Sequence, residues 1–180
     1  MAKSRTPMTL EVEFKGRVKA HGPVEKRLAA LGFHFEGTEG HSDIYFMHPT
    51  RDFAETDEAL RVRTVDGRAI LTYKGPKVDK VSKTREEVEV EVKGDMPLVL
   101  ERLGFKKVME VRKVRKVYRK DDIEVCLDDV TDLGLFVEVE SKSTDLEATR
   151  ARVLNVVNAL GIKDSDLERR AYLELLLAKK

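Results

Sequence analysis

Residues 8–16 read MTLEVEFKG, and the alternation in this stretch decides how the fold is read. Leu10, Val12 and Phe14 fall on one face of an extended chain, and Glu11, Glu13 and Lys15 fall on the other. Taken alone, such a segment is a strand with a dry side against helices and a wet side toward solvent. The pattern recurs, however, as EVEVK at 89–93 and EVESK at 138–142. Other extended runs also carry one charged face: Arg61 and Arg63 in EALRVRTV, Lys74 in LTYKGPK, and Arg85, Glu87 and Glu89 in TREEVEVEV. Lys113, Arg115 and Arg119 share a face of VRKVRKVYRK, Glu124, Cys126 and Asp128 one of IEVCLDDV, and Glu138, Glu140 and Lys142 one of FVEVESK.

The charges are segregated by strand. Carboxylates dominate the first and last strands, and arginines and lysines dominate the third and sixth. If the sheet closes on itself these faces turn inward, and charges of both signs meet in a lumen. A basic wall there suits polyphosphate, through several charge-assisted hydrogen bonds. Two glutamates at i and i+2 of a strand stand about 7 Å apart on one side, a span that a hard divalent cation bridges.

Strands are expected at about 8–16, 41–48, 59–65, 68–74, 84–93, 107–118, 122–128 and 134–141. Asp66-Gly67 suits a two-residue hairpin turn, and Asp121-Asp122 a second turn. Helices are expected at 22–32, 95–104 and 143–161, and in the closing segment ERRAYLELLLAKK. Pro23 and Pro97 stand near helix starts. LGF at 31–33 and 103–105 and LGI at 160–162 read as helix C-caps. The two halves, each a strand, a helix and further strands, read as duplicated units sharing one sheet system within a single domain, 1–180.

Of the 180 residues 37% are charged, yet 34 basic residues face 33 acidic ones. Indiscriminate attraction to nucleic acid or membrane is thereby disfavoured. The absence of Gln, with only two Asn, points to a heat-adapted protein. The lone Cys126 forms no intramolecular disulfide and fits a reducing cytoplasm, and no run approaches transmembrane length. Neither a P-loop nor a G-x-G-x-x-G pattern offers a rival phosphate site. His34, His41 and His48 recur every seven residues across a loop and a strand, and are read as packing or surface histidines. Cys126 is read as a small filler on the charged face.

EVEFK resembles the E-x-E-x-K signature of the CYTH superfamily, the triphosphate tunnel metalloenzymes. The ordered set SDIYFMHPTRDFAETDEALRVR, LTYKGPK, KTREEVEVEV, VRKVRKVYR, EVCLDDV and GLFVEVE is similar to its class IV adenylyl cyclase branch. The resemblance covers nearly the whole chain. It implies an α+β fold in which an eight-stranded antiparallel β-barrel is flanked by helices, with Mg2+ or Mn2+ chemistry on a small-molecule triphosphate. It also implies metal ligands at Glu11, Glu13, Asp128, Glu138 and Glu140. Lys15, Arg61, Arg63, Lys74, Arg85, Lys113 and Arg115 then form the triphosphate-binding wall, with Glu11, Glu13, Lys15, Lys113 and Arg115 closest to the chemistry. Glu87, Glu89 and Arg119 are expected in the tunnel without an assigned role. The implied reaction is conversion of ATP to 3′,5′-cyclic AMP and pyrophosphate in the cytoplasm. The alternatives are hydrolysis of inorganic, thiamine or nucleoside triphosphates, and non-catalytic binding of polyphosphate or RNA ends. A homodimer is left open.

Overall fold

The computed structural model describes residues 10–77, 84–143 and 145–179. Positions 8 and 9 of the expected first strand and position 144 of the expected third helix lie outside the described residues, as do the termini. In chain order the elements are β1 (Leu10–Arg17), α1 (Gly22–Ala30), β2 (His34–Met47), α2 (Phe53–Thr56), β3 (Ala59–Val65) and β4 (Arg68–Lys74). There follow β5 (Arg85–Val92), α3 (Met96–Arg102), β6 (Lys106–Lys120), β7 (Ile123–Val130), β8 (Gly134–Ser143), α4 (Leu146–Ala159), a 3-10 turn (Asp164–Asp166) and α5 (Tyr172–Leu177).

The eight strands close into an antiparallel barrel in the order β1-β5-β4-β3-β2-β6-β7-β8. Each half of the chain is a strand, a helix and three strands, and the first strand of each half pairs with the last strand of the other. β1 lies beside β8 and β5 beside β4. The two halves therefore exchange their leading strands.

The alternation of β1 acquires its meaning here. Val12 and Phe14 point outward and pack with Val125, Leu127, Val137 and Val139 beneath Val24 and Leu28 of α1 and Val153 and Val157 of α4. A smaller apolar cluster joins Phe46 and Val62 to Leu100 of α3. The hydrophobic core thus lies between the barrel and its helices, which leaves the polar face of each strand to the lumen. The outward Val88 and Val90 of β5 are about half exposed.

Local signals account for the joints. Asp66 and Gly67 both take positive φ, 48° and 74°, as a two-residue hairpin turn requires. All three Leu-Gly-apolar triplets are full Schellman motifs. Phe33 N donates to Leu28 O, Phe105 N to Leu100 O, and Ile162 N to Val157 O, and each glycine N–H reaches the carbonyl three residues back. The residues joined by these bonds also share a core cluster, so the cap and the packing reinforce each other.

Two elements exceed the expectation. β2 begins at His34, seven residues earlier than the alternation indicates, because Gly37, Gly40 and the exposed residues around them erase the apolar period. Pairing with β6, interrupted by irregularities at Phe35/Gly37 and Tyr45/Phe46, keeps this segment extended. The short α2 is nucleated by Asp52, whose side chain accepts from Ala54 N, and is ended by Asp57 in the left-handed region at φ 55°.

Candidate active site

The barrel holds a cavity of about 770 Å³ whose lining is dominated by ionisable side chains. Its acidic side is built by β1 and β8. Glu13 and Glu140 are cross-strand partners, and Glu11 stands one pleat along β1. One carboxylate oxygen from each of Glu11, Glu13 and Glu140 lies within 4.8 Å of the others. Burial, then the neighbouring Glu11, pushes the Glu140 carboxyl well above its ordinary range against the pull of Arg115. Burial also raises Glu11, against Lys74 and Lys142. Three hard oxygen donors gathered this closely form a set that a divalent cation would satisfy.

Around the rest of the barrel stand two groups of cations, each organised by one aspartate, one across from this cluster on β2 and β3 and one beside it on β6 and β7. Arg63 Nε and Nη2 donate to the two oxygens of Asp43 at 2.7 and 2.8 Å, and Arg61 approaches the same carboxylate at 3.4 Å. Burial opposes ionisation of Asp43, but Arg61 and Arg63 outweigh it and hold the carboxyl far below its usual range. Asp128, completely buried, accepts two bonds from Arg115 at 2.7 and 2.6 Å, one from Lys113 at 2.9 Å and one from the Tyr172 hydroxyl at 2.9 Å. Arg115 also pairs with Glu138. Burial likewise opposes Asp128, and Arg115 and Lys113 prevail.

Lys74 bridges the two sides, donating to Glu87 at 2.6 Å and to Glu11 at 3.5 Å. Burial works against its charge, yet Glu11 and Glu87 raise its pKa further. Glu87 and Glu89 also lie within 3.9 and 3.7 Å of Arg61. Arg85 is buried, lines the cavity and is the cross-strand partner of Glu11.

The residues singled out from the sequence separate into distinct places. Glu11, Glu13 and Glu140 gather as an acidic group, whereas Asp128 and Glu138 are engaged by Arg115. Lys15 lines the same cavity and reaches toward the C-terminal segment. Its ammonium donates to the Arg170 carbonyl and lies 4.2 Å from the centroid of the Tyr172 ring. Arg119 sits nearer the rim, about half exposed, between Glu36 and Glu124. His34 and His48 stay outside the cavity lining, while His41 enters it. The buried Cys126 thiol donates to Glu124 at 3.4 Å and is pushed well up by burial, which disfavours the thiolate.

Asp43 and Tyr172 are among the site residues that sequence reasoning missed. Asp43 lies in register with Arg63, so pairing β2 against β3 would have exposed it. Tyr172 carries no local signal. It arrives from the C-terminal helix to fill the end of the barrel with Phe136, Val111 and Val130. None of the helices among the described residues is long and apolar enough to cross a membrane.

A CYTH domain family model matches residues 9–172. A Methanocaldococcus jannaschii protein whose name marks it as a candidate adenylate cyclase is 44% identical over 171 residues, 92% of this chain and 98% of that one. Adenylate cyclase CyaB of Aeromonas hydrophila is 28% identical over 168 residues, 90% of this chain and 86% of that one. The solved structure of the PH1819 protein from Pyrococcus horikoshii superposes with a TM-score of 0.83 at 41% identity, covering 94% of this chain and 99% of that chain. With its closed eight-stranded barrel and a family match across almost its whole length, the chain belongs to the CYTH domain family.

Proposed function

We propose that the lumen binds the triphosphate of ATP and that the protein is a class IV adenylate cyclase, forming 3′,5′-cyclic AMP and pyrophosphate. The observation that carries this reading is that a single barrel cavity holds both an array of cations and a three-carboxylate group. A pure anion site gains nothing from buried carboxylates unless a cation neutralises them. Kinship with proteins named for adenylate cyclase supports the choice of reaction.

Glu11, Glu13 and Glu140 would hold Mg2+ or Mn2+, which supplies neutralisation of phosphate charge when bound. Arg61, Arg63, Lys113 and Arg115 bind and orient the phosphate chain. Asp43 and Asp128 act as positioning residues, holding those cations in place before substrate arrives. In the cyclase reaction the substrate's 3′-oxygen forms a bond to the α-phosphorus and loses its proton, and the bond from that phosphorus to the bridging oxygen breaks. The basic wall stabilises the charge that accumulates on the departing pyrophosphate.

Incubation with ATP and, separately, with inorganic triphosphate in Mg2+ and in Mn2+ tests the reading by product identity. Cyclic AMP with equimolar pyrophosphate is the expected result. Orthophosphate without cyclic AMP would replace the cyclase with a triphosphatase, and tight binding without turnover would leave a binding module.

A further inference from the structure

His41 lies among the phosphate-facing cations with one nitrogen committed and the other unused. It is 6% exposed and lines the cavity from β2, directly across from Lys113 of β6. Its Nε2 stands 2.6 Å from Glu39 Oε2. A carboxylate accepts, so Nε2 carries the hydrogen, and the neutral ring presents Nδ1 as a bare acceptor. That Nδ1 is sealed from solvent and has no hydrogen-bond partner among the described residues.

The charges facing the ring are Asp43 and Glu39 on its own strand, Arg63 on β3, and Lys113 and Arg115 on β6. Burial, then Arg63, Lys113 and Arg115, pushes its pKa down to about 3, so the ring is neutral near pH 7. An acceptor with no donor is an odd fixture in a wall built for phosphate. The non-bridging oxygens of a bound triphosphate are themselves acceptors and have no hydrogen to offer Nδ1. A triphosphate would draw the surrounding cations toward itself, and uncovering Nδ1 to a ribose would require that movement.

We propose that His41, oriented by Glu39, recognises a ribose hydroxyl of the substrate by accepting its hydrogen bond at Nδ1. The proposal rests on the reading of the lumen as a triphosphate site and adds to it a residue that tells a nucleotide from inorganic triphosphate. A ribose carries two hydroxyl donors and inorganic triphosphate carries none.

The test is a set of calorimetric titrations with Ca2+ in place of the activating ion. ATP, 2′-deoxy-ATP, 3′-deoxy-ATP and inorganic tripolyphosphate are each titrated into the wild type and into His41→Phe. For the wild type, one of the two deoxy nucleotides should bind about tenfold more weakly than ATP, the cost of about one hydrogen bond. His41→Phe should lose about the same factor for ATP, lose nothing for tripolyphosphate, and no longer distinguish ATP from the deoxy nucleotide. His41→Asn, which returns an acceptor near the Nδ1 position, should recover part of the discrimination.

Equal wild-type affinity for ATP and both deoxy nucleotides overturns the proposal, whatever the variants do. Additive losses in the cycle, or an equal loss for tripolyphosphate, also overturn it and place His41 elsewhere or on the phosphates. Failure of both ATP and tripolyphosphate to bind the wild type would bring down the lumen reading itself, an outcome distinct from the others.

Discussion

Asp43 and Arg63 face one another as cross-strand partners of β2 and β3, and the carboxylate takes both hydrogen bonds of the guanidinium fork. This pair holds the arginine ready in the lumen before any anion is present. Asp43→Asn should leave Arg61 and Arg63 without their main counter-charge and cost about 3–5 kcal/mol of stability. Because the folded-state pKa of Asp43 is depressed, its contribution is present above the ordinary value of 3.8 and fades as pH falls through the folded value. Chemical denaturation at pH 7 measures the loss, and tripolyphosphate should restore part of it.

Arg63→Ala should weaken tripolyphosphate binding by tenfold or more and change monophosphate binding much less. Competition titrations with the two anions measure the difference. An equal loss for both would remove Arg63 from the terminal phosphates.

Glu140→Gln separates metal binding from folding. The carboxyl is raised, so the folded chain holds a proton that the unfolded chain releases above the ordinary 4.5, and stability falls as pH rises through that window. The amide has no such proton. In metal-free buffer the variant should melt higher than the wild type at pH 7, with the advantage growing from pH 4.5 upward. Added Mn2+ should raise the wild-type melting temperature more than the variant's, and turnover should be lost. Scanning calorimetry with and without Mn2+ reads all of these except turnover, which the product assay supplies.

Tyr172→Phe removes one of the four bonds to Asp128 while leaving Lys113 and Arg115 in place. A hydrogen bond to a charged acceptor contributes about 1.5–3 kcal/mol. The denaturation midpoint should fall accordingly, with less than a tenfold change in turnover. A loss as large as that for Glu140→Gln would make Tyr172 a contact of the substrate.

The barrel was legible because its signals are local. Alternation in β1, β3, β7 and β8 reports two faces, and the turns at Asp66-Gly67 and the three Leu-Gly-apolar caps report φ values that few other residues accept. The first seven residues of β2 were not legible, since their conformation is imposed by pairing with β6. His41 was seen and read as a packing or surface residue, because its neighbours come from β3 and β6.

Taken by itself, the chain's sequence determined which face of each strand is charged, and therefore that a closed sheet would carry its charge inside. Side-chain alternation has a period of two whatever the strand pairs with. Which charges meet was decided only by tertiary structure, because that depends on register between strands far apart in sequence. Register set Glu13 beside Glu140 and Asp43 beside Arg63, and it set Asp128 beside Arg115 and thus against two cations. Docking of the C-terminal segment turned Lys15 toward the Arg170 carbonyl. EVEFK thus supplies two carboxylates to the acidic group, and sends its lysine to anchor the end of the chain.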